Sequence, residues 1–235
     1  MGRRHHIPVV PAAAGGVLLA YWLPSIVVGV PPLRPLVGVR DRTVDGTGIG
    51  LTFDDGPHRE GTPAVLDVLE QAGATATFFL VGEQVERTPG LAAEILAAGH
   101  EIGLHCHRHR NLLRLTPGQL RDDLRRALDA IGSATGAAPR LYRPPYGIFN
   151  AASFPIVRSL GCEPILWTRE GHDWEAKATP GSIAARVTRG LTPGDVLLLH
   201  DADDYAAPGS WHATVAALPI VLGELELRSL RTVRL

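Results

Sequence analysis

From Thr47 to the C-terminus, short apolar runs alternate with segments of helical periodicity. This alternation constrains the fold more than any other feature. Strand, helix and strand in one compact unit bring the two strands side by side in parallel. The pattern therefore predicts an α/β fold, a parallel sheet covered by helices and either open or closed into a barrel. Runs at residues 49–53, 76–80, 101–104, 141–142, 162–167 and 196–199 read as strands. Helices are expected at 63–72, 91–98, 116–131, 155–160, 182–189 and 214–227. Thr62 reads as an N-cap ahead of Pro63, and Thr116 caps the long helix. Gly99 and Gly190 close two others. Leu120, Leu124, Ala127, Leu128 and Ile131 share one face of the 116–131 helix. Pro219 is expected to break the last helix. No internal repeat is present.

Composition excludes several classes. Of 235 residues, 45% are hydrophobic and 20% charged, which suits a buried core and not a disordered tail. Two cysteines, Cys106 and Cys162, cannot make a disulfide scaffold. A net charge of -1 provides no basic field for a phosphate backbone, so no nucleic-acid partner is expected.

The N-terminal segment, 1–33, stands apart. Residues 7–33 carry no charged side chain and follow Arg3 and Arg4. The stretch 9–30 is long enough for the roughly 20 apolar residues of a membrane span. A membrane anchor is the first reading, with a cleaved signal peptide and a buried arm as alternatives. Arginines on both sides leave the orientation open. Residues 34–46 read as a linker after the prolines at 31, 32 and 35. The domain proper spans 47–235.

In parallel barrels, chemistry gathers at the C-terminal ends of the strands. Asp54 and Asp55 follow the first strand, and His105, His107 and His109 follow the third. Arg143 and Tyr146 come after the fourth, Glu170, His172, Asp173 and Trp174 after the fifth, and His200 after the last. Two histidines four residues apart, with one carboxylate, make a metal site with open positions of the kind zinc uses in hydrolysis. His107 could replace either neighbour. Of the paired aspartates, one can bind metal while the other takes a proton from the bound water. His200, at the end of an apolar strand, suits a general acid. Arg143 can orient a carboxylate.

These residues lie in five motifs: Thr52-Phe53-Asp54-Asp55-Gly56-Pro57, His105-Cys106-His107-Arg108-His109, Arg143-Pro144-Pro145-Tyr146-Gly147, Asp173-Trp174 and Leu199-His200. Their types and order resemble the polysaccharide deacetylases, the NodB-homology or carbohydrate esterase four family, over residues 46–235. The resemblance implies a distorted (β/α)7-type barrel and metal-dependent removal of N-acetyl groups from amino sugars. It implies that Asp54 is the base, that Asp55, His105 and His109 hold the metal, and that Arg143 positions the base. The Tyr146 N–H would help hold the oxyanion. Leu199 and Trp174 would border the acetyl pocket, and His200 would protonate the leaving amine. The family's fourth motif usually carries an aspartate three residues before the Asp-Trp pair, associated with the acid histidine. Glu170 stands there in this chain, so either Glu170 or Asp173 would support His200. Cys106 and His107 also depart from the common second motif.

The expected cofactor is a divalent metal, zinc first, with cobalt, nickel or manganese as alternatives. The expected partner is a glycan, peptidoglycan or another N-acetylglucosamine polymer, met by a monomer that is membrane-anchored and faces outward or is secreted. A lipid-linked or O-acetylated sugar and a catalytically weakened glycan-binding member are the alternatives.

Overall fold

The computed structural model describes residues 21–235. Its elements in chain order are β1 (Ile49–Asp54), α1 (Gly61–Gln71), β2 (Thr77–Val81), α2 (Gly82–Arg87), α3 (Pro89–Ala97), β3 (Glu101–Cys106), α4 (Pro117–Thr135), β4 (Leu141–Tyr142), α5 (Ser153–Ser159), β5 (Glu163–Pro164), β6 (Arg169–Glu170), α6 (Pro180–Thr188), β7 (Val196–His200), α7 (Ser210–Leu227) and β8 (Thr232–Val233). The strands pair in the order β5-β4-β3-β2-β1-β7-β6, with β8 joined to β1, and every pairing is parallel. This is the distorted barrel that the alternation and the motifs imply.

Strand parity divides the core. Successive side chains on a strand face opposite sides of the sheet. Ile49, Leu51 and Phe53 of β1 join Phe78, Leu80, Ile102 and Leu104 in the main hydrophobic cluster, toward the helices. Phe79, Leu141 and Ile165 form a separate cluster inside the barrel, and Leu235 packs against it. Gly103 makes room for the Phe79 ring, since a Cβ there would sit 2.4 Å from a ring carbon. Gly50 does the same for Leu235. The C-terminal leucine thus plugs the bottom of the barrel, and the polar rim occupies the top.

Several boundaries differ from the sequence reading. Thr62 is not a cap: α1 begins at Gly61, and the Thr62 hydroxyl accepts from the His58 N–H and bonds Asp201. The expected strand 162–167 is two short strands, β5 and β6. The helix expected at 182–189 starts at Pro180 behind the Thr179 cap. α7 runs through Pro219 without stopping, because Thr214, Ala217, Leu218, Val221 and Leu225 bury one side of it across the proline. Thr116 does cap α4, in a reciprocal box with Gln119.

Residues 34–46 are not a free linker. Residues Pro31–Val37 form a 3-10 turn. Arg40 bridges Ile165 and Arg42 bridges Asp195, so this segment crosses the gap between β5 and the start of β7. Arg34 donates to Asp41 at 2.8 Å and to the Trp167 carbonyl at 2.8 Å. Residues 21–28 are helical. Val28 and Val39 are buried in the core, whereas Trp22, Leu23 and Ile26 are exposed. The span expected at 9–30 lies largely outside the described residues. Among those described, no helix is long and apolar enough to cross a membrane.

Candidate active site

The C-terminal ends of β1, β3, β4 and β7 converge on one cleft of about 270 Å³. Asp54, Asp55, His105, His109, Tyr146, Trp167, Glu170, Trp174, Leu198, His200 and Tyr205 line it. The two adjacent carboxylates meet different surroundings. Asp54 closes β1 and faces inward, where the Arg143 guanidinium donates to its Oδ1 at 2.7 Å. Arg143 is fully buried and also holds Thr52 Oγ1 at 2.8 Å and the Leu166 carbonyl at 3.2 Å. Its guanidinium lies 4.0 Å from the centre of the Phe79 ring.

Asp55 has left the strand, with φ at 78°. A positive φ costs an aspartate less than most residues and turns its carboxylate away from Arg143. The next residue, Gly56, packs against the buried Asp201 carboxylate, where a side chain would collide. Burial pushes Asp201 up to about 7.

Asp55 faces two imidazoles. His105 Nε2 lies 3.3 Å and His109 Nε2 3.4 Å from Asp55 Oδ1. His105 Nδ1 lies 2.7 Å from the Arg143 carbonyl, which fixes the proton on Nδ1 and leaves the Nε2 lone pair facing the carboxylate. Asp55 Oδ1 is buried with no hydrogen-bond donor. Burial would raise the Asp55 pKa, but His105, His200 and His109 outweigh it and hold it at about 2. Burial pushes His109 down to about 4, so its imidazole is neutral. Two imidazoles and one carboxylate, with the donor atoms of Asp55, His105 and His109 all within 4.8 Å of one another, fit a divalent cation.

Opposite stands His200. Its Nδ1 bonds Asp173 Oδ1 at 2.9 Å, and its backbone N–H donates to Asp173 Oδ2 at 2.7 Å. Thr214 donates to the same oxygen at 2.8 Å. His200 Nε2 is left facing the cleft, 3.9 Å from Asp55 Oδ2. Burial alone would lower the His200 pKa. Asp173, with Asp55 and Asp54 behind it, reverses that and raises it to about 10. Trp174 packs edge-on against His200, ring centres 5.4 Å apart.

Two expected residues fall elsewhere, and a third lies in the cleft away from His200. Leu199 faces the helix layer: it lies against Gly171, beside Ile183. Leu198, of the same parity as His200, lines the cleft instead. Glu170 reaches the cleft but not His200; it accepts from Trp167 Nε1 at 3.0 Å and contacts His172 at 2.9 Å. His107 points away from Asp55, toward Glu86 at 3.9 Å. Cys106 has the parity opposite to His105 and is buried, and that burial, with Asp123 nearby, pushes its thiol well above its ordinary value. Tyr146, at φ 60°, packs edge-on against His109, ring centres 4.6 Å apart.

Sequence reasoning missed three residues. Tyr205 stacks on His109 at 4.6 Å and is fixed by its hydroxyl donating to Glu83 at 2.7 Å. It follows β7, so the rim rule that found His200 extends to it. Trp167 forms a wall of the cleft. Asp123, on α4, accepts from the backbone N–H of His107 at 2.8 Å and of Arg108 at 3.3 Å, and pairs with Arg110 at 2.6 Å. It shapes the loop that carries His109. An acid three residues after Leu120, on the apolar face of α4, was the available signal.

Residues 41–165 match the family described as polysaccharide deacetylase. A peptidoglycan-N-acetylglucosamine deacetylase of Bacillus cereus is 38% identical over 79% of this chain and 84% of its own length. A chitooligosaccharide deacetylase of Bradyrhizobium is 39% identical over 71% of this chain and 78% of its own. Among solved structures, a peptidoglycan N-acetylglucosamine deacetylase superposes with a TM-score of 0.78 at 29% identity, covering 85% of this chain and 91% of the other. A family 4 acetyl xylan esterase from Clostridium thermocellum, in complex with a cobalt ion, gives 0.72 at 30% identity, covering 79% and 87%. A family 4 pseudoenzyme from Bacillus anthracis gives 0.71 at 28%, covering 79% and 63%. By sequence and by fold, the chain belongs to the polysaccharide deacetylase family.

Proposed function

We propose that this chain hydrolyses the acetamide of an N-acetylated glycan, releasing acetate and a free amine. The observation that carries the reading is the division of the two adjacent aspartates: Asp55 sits with two imidazoles, and Asp54 with a buried guanidinium. A divalent cation held by Asp55, His105 and His109 supplies Lewis acidity and a hydrolytic water of lowered pKa. Zinc suits two imidazoles and a carboxylate, with cobalt, nickel or manganese as alternatives.

The chain's own residues do the rest. Asp54 accepts the proton of the attacking water, and Arg143 fixes which oxygen faces it. The Tyr146 backbone N–H donates to the carbonyl oxygen as charge develops there. His200, charged through its pairing with Asp173, delivers a proton from Nε2 to the departing nitrogen. Leu198, Trp167 and Trp174 close around the acetyl methyl and exclude bulk water.

The substrate is an N-acetylglucosamine polymer of the cell surface, and the enzyme works outside the cytoplasm as a monomer. The names of the relatives, peptidoglycan and chitooligosaccharide deacetylases, support that substrate class. The contact of Asp173 with His200 Nδ1 at 2.9 Å supports an active member of the family over a weakened one, although Glu170 stands where the family usually has an aspartate.

The test is a pair of variants. Asp54→Asn is expected to keep metal stoichiometry and lose about 10²- to 10⁴-fold in kcat, the usual loss for a general base. Asp55→Asn is expected to lose the metal. Metal analysis that gave the opposite pattern at constant fold would reverse the two assignments.

A further inference from the structure

A second cavity, about 680 Å³, adjoins the catalytic cleft. His109 and Tyr146 line both, so the two cavities are neighbours across these side chains. Its other lining residues are Arg110, Asn111, Arg114, Leu115, Gln119 and Ile148. None of them is an acid. The catalytic cleft, by contrast, holds Asp54, Asp55 and Glu170.

The polar groups of this cavity are donors. Asn111 Oδ1 is occupied by the Leu113 N–H at 2.9 Å, which leaves its amide nitrogen. Gln119 Oε1 is occupied by the Thr116 N–H at 2.9 Å, which again leaves the amide nitrogen. Arg110 is neutralised by Asp123. Arg114 is exposed and pairs with no carboxylate among the described residues. The N-terminus of the 19-residue helix α4 borders the cavity with no acid in its first turn, and its dipole adds positive potential. Leu115 and Ile148 offer an apolar floor for a sugar ring.

We propose that this cavity is an anion-accepting subsite, which takes a carboxylate carried by a sugar next to the one being deacetylated. Resting on the deacetylase reading, this selects among N-acetylated glycans: strands whose alternate sugars bear an ether-linked carboxylic acid, as in peptidoglycan, over neutral N-acetylglucosamine oligomers. Arg114 supplies the charge, and the Asn111 and Gln119 amides supply neutral donors beside it. An arginine fork matches a carboxylate in two parallel hydrogen bonds.

The experiment compares two tetrasaccharides on the metal-loaded full chain. One is N-acetylchitotetraose; the other is a peptide-free peptidoglycan strand of the same length. The wild type is expected to favour the carboxylated strand in kcat/KM. Arg114→Gln is expected to lower the ratio of the two kcat/KM values about five- to tenfold, through KM and not kcat. Arg114→Glu is expected to lower it further. Arg125→Gln, on the exposed side of α4, is expected to leave the ratio unchanged. A ratio unaffected by Arg114→Gln and Arg114→Glu would overturn the subsite while leaving the deacetylase reading intact. Should neither sugar be turned over, the deacetylase reading fails by itself. Calorimetric binding of the carboxylated strand then decides the subsite: weakening by Arg114→Gln supports it, and unchanged affinity overturns it.

Discussion

His200 and Asp173 show how one contact sets the chemistry of a residue. A buried imidazole without a counter-charge would be neutral at physiological pH. With Asp173 at 2.9 Å it holds its proton to about pH 10. A cation bound at Asp55 adds positive charge nearby and brings that value down toward the working range. Asp173→Asn removes the charge that opposes burial, so the His200 pKa falls. In the proposed role of acid His200 must be protonated; the alkaline limb of the pH–kcat/KM profile is therefore expected to move to lower pH, with kcat reduced at pH 7. An unmoved limb would mean that another group gives the proton. Arg143 makes a second case. Replacing it with alanine leaves Asp54 buried and uncompensated, a cost of about 3–5 kcal/mol. Thermal denaturation is expected to show that loss, whereas a surface arginine such as Arg125 costs almost nothing.

At this scale most of the cleft was legible from the motifs, because rim residues follow strand ends. Beyond the missed Tyr205 and Trp167, two choices between candidates needed the structure. Leu199 and Leu198 are adjacent, and only the parity of β7 relative to His200 decides which enters the cleft. Asp173 rather than Glu170 meets His200 because the chain reverses between them at His172, φ 53°, a turn with no sequence signature.

At the scale of elements, caps and periodicity carried the reading. The Thr116–Gln119 box and the apolar stripe of α4 are present as the pattern implies. Thr116→Ala is expected to cost about 1 kcal/mol. The exceptions have tertiary causes. α2 starts directly after β2, where Gly82 lies so close to His107 and Ala127 that no side chain fits. α7 passes Pro219 because burial on both sides of it outweighs the proline penalty of about 3 kcal/mol. β8 is two residues long, held by its pairing with β1 and by the bonds between Thr232 and Thr75, and below the length at which alternation can be seen. The acid on α4 extends this logic. Asp123→Ala leaves the His107 and Arg108 N–H groups without an acceptor, a cost of about 1–3 kcal/mol. Because those groups shape the loop bearing His109, metal affinity is expected to fall along with the melting temperature. A drop in stability with unchanged metal affinity would show that the loop keeps its shape without Asp123.

On the scale of the whole molecule, the segment before β1 belongs to the barrel. It buries Val28 and Val39 and ties Arg34 to the Trp167 carbonyl. Proline and charge content make such a stretch look like a linker, and nothing local reports that it crosses an open sheet edge. A chain that begins at Asp45 is expected to melt several degrees below one that begins at Tyr21, since about 1 kcal/mol corresponds to 2–4 °C in a domain of this size. Acid sensitivity is also global. Burial holds His100 below its ordinary pKa, and its Nδ1 accepts the Ala76 N–H at 3.3 Å. The unfolded chain takes up this proton first on acidification. Stability is therefore complete above about pH 7 and falls as the pH drops through the folded-state value. His107 and His109, both lowered by burial, act in the same direction. His100→Gln is expected to flatten the dependence of melting temperature on pH between 5 and 7.

The proposed role of the Asp55, His105 and His109 cluster is hydrolysis of an N-acetylated glycan. Acetate release from N-acetylated peptidoglycan strands and chitooligosaccharides measures it most directly, on the chain as isolated, after chelation, and after zinc or cobalt is restored. The expected result is release that chelation abolishes and metal restores. Release that persists unchanged in the metal-free chain, or metal-loaded protein that frees no acetate from any N-acetylated glycan, would contradict it.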